Sequence, residues 1–308
     1  MSFINRLLPL VLPFAMLPVS VRAAPNAAPG QCEQAAGGFD VDAGEGVHIH
    51  IRTIGKGTPI LFIPSLARGV ADFDEVASLL AREGYMSILP DPRGTGRTQG
   101  PAPASLFDLA HDAEVAAARL CNGPVHVVGH AFGNRVARAL ATSSPGTVRD
   151  VVLLAGGGKA KSLPQVGDSI TVSASESGFS DAVRLKALQT AFFAQGHDPR
   201  VWLTGWYGQA LAFQGAAMKG SSVDQWWSGG SAPILLVQAD EDPVAPSGNA
   251  DQLKADIGDR LRTVALRRAS HAILPEQPRA VAWLLARYFA GERDEAVLQG
   301  GTDARVER

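Results

Sequence analysis

Apolar and polar residues alternate over Val47-His48-Ile49-His50-Ile51, the period of a half-buried strand. Pro59 to Pro64 reads P-I-L-F-I-P, an unbroken apolar run suited to a strand covered on both faces. Tyr85–Leu89, Pro124–Val128, Asp150–Leu154, Pro233–Gln238 and Leu261–Leu266 are further strand-length runs. Helical spacing lies between them. Ala71 to Arg82 places Phe73, Val76, Leu79 and Leu80 on one side, and Ser105–Leu120, Asn134–Ala141 and Pro278–Phe289 also read as helices. Strands alternating with helices predict a parallel sheet with helices on both faces. From 159 to 232 the alternation stops: helical patterns such as Asp181–Ala194 remain, with no clear buried strand. Four of the five tryptophans fall there, Trp202, Trp206, Trp226 and Trp227. This predicts a helical cap over a pocket, its tryptophans lining the pocket or gluing the cap to the sheet.

The two ends read differently. Arg6 precedes the apolar stretch Leu7–Val19, and Val21-Arg22-Ala23 supplies small residues at cleavage spacing. Residues 1–23 therefore read as a secretory signal peptide, since Pro9, Pro13 and Pro18 interrupt a segment already short for a membrane span. The expectation is a mature domain over 24–308, periplasmic or secreted. Residues 24–38 should be loose, and the charged, glycine-containing tail at about 292–308 should fray. A net charge of -2 with 46% hydrophobic and 19% charged residues is ordinary globular composition, without the basic footprint of a nucleic-acid partner. Cys32 and Cys121 are the two cysteines; an oxidising compartment permits a disulfide, and two unpaired thiols stay equally open. His48 and His50 share one face of a strand, a weak metal pattern that reads better as the wet face of an edge strand.

The turn after Val128 brings chemistry into the picture. Gly129-His130-Ala131-Phe132-Gly133 joins a strand to a helix with glycines at both edges, the context of a nucleophile elbow. Ala131 stands where G-x-S-x-G needs serine, and a methyl group cannot attack a carbonyl. Downstream come Gln238-Ala239-Asp240-Glu241-Asp242-Pro243 and, after the last strand, Ser270-His271-Ala272. In that order these features resemble the α/β-hydrolase superfamily over nearly all of the mature length, with Ala239 in place of the acid turn's usual glycine.

The resemblance implies an α/β fold with a mostly parallel sheet of about eight strands, flanked by helices and carrying a helical cap. It implies Asp242 as the acid that orients His271, His271 as the base, and Ala131 at the nucleophile position. Phe132 would give one oxyanion N–H; Pro64 has none to give, so Leu66 is the candidate for the other. Arg68, two residues on, could reach a substrate carboxylate. Ser65, Trp202 and Trp206 complete the candidate substrate contacts, while Arg93 in the Pro92-Arg93-Gly94 loop reads as structural. His130, just before the nucleophile position, should point away from the pocket.

The function this suggests is an exported hydrolase-type enzyme acting on a small ester, amide, lactone or C–C substrate. His271 would activate water or substrate directly, without the usual serine. Three alternatives stay open at this stage: a catalytically silent protein that binds a small ligand or partner, a serine hydrolase whose serine has been replaced by design, or a displaced nucleophile at Ser65. No metal or organic cofactor is implied. The expected partner is a small molecule, with no nucleic acid and no membrane after signal cleavage.

Overall fold

Strand alternation sorts the apolar side chains of this chain into two cores. The computed structural model describes residues 32–33, 37–162, 166–175 and 177–307; the expected signal peptide lies outside them. In β3 (Thr58–Ile63), Leu61 and Ile63 face one core while Ile60 and Phe62 face the other. β5 (Val125–His130) and β7 (Ile234–Ala239) divide in the same way: Val125, Val127, Ile234 and Leu236 on one side, Val128, Leu235 and Val237 on the other. The first core is closed by α2 (Leu106–Leu120), α3 (Gly133–Ser143) and α8 (Gly248–Ile257), through Leu109, Val136, Leu140 and Leu253. The second is closed by α1 (Asp74–Arg82) and α10 (Pro278–Phe289), through Val76, Leu80, Val281 and Leu284. Each such side chain, fully buried, contributes about 1.5–3 kcal/mol.

With β1 (Phe39–Gly44), β2 (Val47–Gly55), β4 (Tyr85–Pro90), β6 (Val148–Leu154) and β8 (Leu261–Leu266), the strands form one eight-stranded sheet. The order is β1-β2-β4-β3-β5-β6-β7-β8, antiparallel at β1–β2 and β2–β4 and parallel elsewhere. The central parallel strands are those with unbroken apolar runs, as burial on both faces requires. β1 is an addition to the sequence reading. It is an edge strand, mostly half-exposed, so its Phe39-Asp40-Val41-Asp42 alternation is weak. His50 is buried and its Nδ1 lies 2.5 Å from Asp40 Oδ1 on that strand, whereas His48 is exposed.

Between β6 and β7 the described chain is helical: α4 (Gly167–Ala174), α5 (Asp181–Ala191), α6 (Gly208–Lys219) and α7 (Val223–Trp226). Its own small core gathers Leu188, Phe192, Phe193, Trp202 and Trp206.

At the ends one open choice is decided and one expectation changes. Cys32 and Cys121 form a disulfide that ties the segment before β1 to the end of α2. The tail does not fray: Glu295–Asp303 is a further helix, α11. Asp294 caps it by accepting from Ala296 N at 2.8 Å, and Leu298 is fully buried in the second core. Gly301 lets the helix close on Trp283, since a Cβ there would stand 1.9 Å from the indole. The charged residues that made this segment look solvated serve the edge strand. Glu295 Oε1 accepts from Thr263 N at 2.7 Å, and Gln299 exchanges hydrogen bonds with the N–H and C=O of Ala265 at 2.9 and 2.8 Å.

Candidate active site

The turn between β5 and α3 is held by close backbone approach. A Cβ on Gly129 would meet Gly133 O at 2.4 Å, and a Cβ on Gly133 would meet Ile63 O at 2.1 Å. Only glycine fits at either edge. Ala131 sits between them at φ 49°, in the left-handed region that costs an L-residue roughly 1–2 kcal/mol. Its N–H donates to Leu154 O at 2.9 Å, while the Asn134 side-chain amide donates to its carbonyl.

The loops after β7 and β8 bring the other two expected residues together. His271 Nδ1 lies 2.8 Å from Asp242 Oδ2, both side chains being buried. The remaining oxygen, Asp242 Oδ1, accepts from Val244 N at 2.8 Å and Ala245 N at 2.9 Å. The carboxylate oxygen facing the ring accepts the Nδ1 proton, which leaves Nε2 as the nitrogen with a free lone pair. No other described residue hydrogen-bonds the ring.

A cavity of about 210 Å³ opens beside them. Ala131, His271, Phe132, Leu66, Ser65 and Trp206 all border it. Its walls therefore combine residues after β3, β5 and β8 with residues of the helical insertion. Neither Phe132 N–H nor Leu66 N–H finds an acceptor among the described residues. Phe132 N–H is also one of the donors that the first turn of α3 leaves free. Ser65 is buried, and its hydroxyl makes no hydrogen bond to His271.

Arg68 and Trp202 are corrected by the structure: neither borders the cavity. Arg68 is buried with every donor directed elsewhere. It makes a two-point pair with Asp72 at 2.6 and 2.9 Å, and donates to Thr204 O at 2.6 Å. Its guanidinium carbon lies 4.6 Å from the Trp202 ring centre and 4.9 Å from that of Trp206. This is a clamp holding the insertion to the loop after β3. A second clamp has the same design: Arg138, buried on α3, lies 4.6 Å from both Trp226 and Trp227 and donates to Gly157 O at 2.6 Å. Of the four tryptophans in the insertion, Trp206 alone borders the cavity. Arg93, as expected, is structural, in a two-point pair with Asp112 at 2.7 and 2.8 Å.

The sequence reading missed several supporting residues. Glu276 is buried; Oε1 accepts from Ala194 N in the insertion at 2.6 Å, and Oε2 from Ser270 N beside His271 at 2.7 Å. Burial pushes its carboxyl up to about 7. Ala272 N donates to Phe192 O at 2.7 Å, a second tie between the same two segments. Arg135 also borders the cavity. The available signal was the spacing of Arg135 and Arg138 along an otherwise apolar, alanine-rich helix, where charges need a reason.

Residues 58–278 match the model of the alpha/beta hydrolase fold family. A non-heme haloperoxidase of Rhodococcus erythropolis is 34% identical over 116 residues, 37% of this chain and 42% of that protein. An epoxide hydrolase of Caballeronia sordidicola is 33% identical over 73 residues, 24% of this chain and 22% of that one. The chain thus spans less than half the length of these curated relatives. Among solved structures, an esterase from Exiguobacterium antarcticum superposes with a TM-score of 0.70 at 19% identity, over 82% of this chain and all of the esterase. A family match over more than two-thirds of the chain, on a sheet of this order, leaves one assignment: the protein belongs to the α/β-hydrolase-fold family.

Proposed function

We propose that this protein is an exported hydrolase-type enzyme in which Asp242 and His271 act as a dyad and Ala131 occupies the place of the nucleophile. The observation that carries the reading is the 2.8 Å bond from His271 to Asp242 at the wall of a cavity that Ala131 also borders. His271 Nε2 takes a proton from a water molecule, and the hydroxide oxygen adds to the substrate carbonyl carbon. The N–H groups of Phe132 and Leu66 hold the resulting oxyanion. Collapse restores the carbonyl and expels the leaving group, which receives the proton from His271. The substrate is a small ester, amide or lactone. Hydrolase names among the relatives, such as epoxide hydrolase, agree with the class. The disulfide supports export, because such bonds persist in oxidising compartments.

Silent ligand binding is the competing reading, and Ala131 itself favours it. Two facts argue against it: the turn keeps its positive φ and close glycines, and strain without use is a cost. A panel of short-chain esters and lactones separates the two, assayed with the protein, His271→Ala and Ala131→Ser. Direct base catalysis gives turnover that His271→Ala lowers by roughly 10²–10⁴-fold. If the protein and His271→Ala are equally inert while Ala131→Ser turns over, the site is a binding site that has lost its nucleophile.

A further inference from the structure

Arginine side chains buried at cavity walls are ordinarily paired with a carboxylate. On α3 two arginines are not: Arg138, buried behind the wall, and Arg135, half-buried at the cavity. Arg138 satisfies its donors on backbone carbonyls and on the Asn134 side chain, and no described acid reaches it. The Arg135 side chain, half-buried and bordering the cavity, has no hydrogen-bond or ion-pair partner among the described residues; its one neighbour of note is the Trp226 ring, 5.5 Å from the guanidinium carbon. No Asp or Glu among the described residues borders the cavity. The carboxylate of the dyad, Asp242, is already shared between His271 and two backbone N–H groups. The first turn of α3, with its positive dipole end, adds to the same side of the balance. Among the described residues the wall therefore carries positive charge with no free carboxylate to meet it.

We propose that Arg135 anchors a carboxylate carried by the substrate, so that the site takes small esters or amides bearing a free carboxylate; this rests on the hydrolytic reading above. Arg135 stands in the first turn of α3, four residues after Ala131. Helical side chains lean towards the N-terminus, and Arg135 and Ala131 border the same cavity. A ligand with its reacting carbonyl at Ala131 and its carboxylate at Arg135 has only a few bonds between the two groups, as in the half-ester of a short dicarboxylic acid. The cavity, at about 210 Å³, suits a molecule of that size. Arg68, the arginine that the sequence suggested for this task, is already held by Asp72 and Thr204. Arg135 has the free fork of donors that a carboxylate matches.

The test measures binding, so it does not depend on turnover. Calorimetric titration of the His271→Ala protein with monomethyl succinate and with the neutral dimethyl succinate compares Arg135 with Arg135→Gln and Arg135→Lys in the same background. The expected result is that Arg135→Gln weakens the half-ester about tenfold or more, Arg135→Lys weakens it less, and the diester is indifferent to all three. Far-UV circular dichroism and melting curves identify a variant that has failed to fold; Arg135→Lys then carries the comparison. Equal binding of half-ester and diester, an unchanged Arg135→Gln, or no binding of the half-ester overturns the proposal. Arg135-dependent binding with no turnover of the half-ester by the unsubstituted protein would leave the anion site standing and remove the hydrolytic reading. Turnover without charge discrimination would do the reverse.

Discussion

The imidazole of His130 lies beneath the site and donates from Nε2 to the carbonyl oxygen of His271, 2.8 Å away. Burial, helped by His271, pushes this ring down to about 3, so it is neutral and its donor is fixed by the carbonyl it faces. His130 does not border the cavity. It is a positioning residue: the turn that holds Ala131 also holds the backbone of His271.

Replacing that donor should therefore affect rate before binding. His130→Ala leaves a buried carbonyl without its donor, at about 1–3 kcal/mol, and lets the His271 loop relax. The expected outcome is a lower melting temperature and a kcat that falls more than KM rises. His130→Gln, whose amide can donate to the same carbonyl, should recover most of both. Steady-state kinetics on the best ester of the panel check this, and a purely structural role would show as equal losses in the alanine and glutamine variants.

How much of this arrangement was legible beforehand follows from which interactions are local. The alternation in β3, β5 and β7 marks the two cores, because a strand's neighbours i and i+2 share a face whatever lies beyond. Gly129 and Gly133 stand out because turn geometry fixes the residue types allowed, and Asp242 and His271 because their order along the chain resembles that of the family. The choice of Arg68 over Arg135 could not be made from the chain alone. It depends on Asp72 and Thr204 meeting one guanidinium and no described acceptor meeting the other, which are facts of tertiary packing. Glu276 reads as an ordinary helix-end acid until Ala194, 82 positions away, is brought against it. The tail misleads for the opposite reason: its polar residues are spent on a strand edge rather than on water.

Two buried groups give stability opposite dependences on pH. His130 shifts from 6.5 to about 3, so as pH falls through that range the unfolded chain takes a proton that the folded chain refuses, and stability drops by up to about 1.4 kcal/mol per unit. Glu276 shifts from 4.5 to about 7; its contribution is whole below 4.5 and is lost as pH rises towards 7. Between 4.5 and 6.5 the slopes oppose each other. Glu276→Gln should uncover a rise of stability with pH in that window, read from urea denaturation at several pH values. A variant as insensitive to pH as the parent would show that Glu276 does not titrate there.

The Arg68–Asp72 pair is buried, and breaking one side strands the other charge. Arg68→Ala should cost about 3–5 kcal/mol in urea denaturation. Asp72→Asn should shift the midpoint in the same direction, and the double variant should cost less than the sum, since the second change removes an already orphaned group. Additive losses would mean that Arg68 acts through its stacking on Trp202 and Trp206 rather than through the ion pair.

The last helix offers a prediction about solubility. β8 is the final strand of the sheet, and an open strand edge is a template for pairing with another chain. Glu295 and Gln299 occupy the outward N–H and C=O groups at Thr263 and Ala265, and Leu298 seals the helix onto the second core. Leu298→Ala should cost about 2–5 kcal/mol by cavity formation, loosening α11 without touching the cavity at Ala131. Deleting the residues after Arg293 goes further and bares the edge. That protein should retain its sheet by circular dichroism yet form concentration-dependent oligomers in sedimentation, whereas Glu295→Gln, which keeps an acceptor for Thr263, should stay with the parent. A truncated chain that remains monomeric would show that the edge is protected by its own side chains and that α11 matters only for packing.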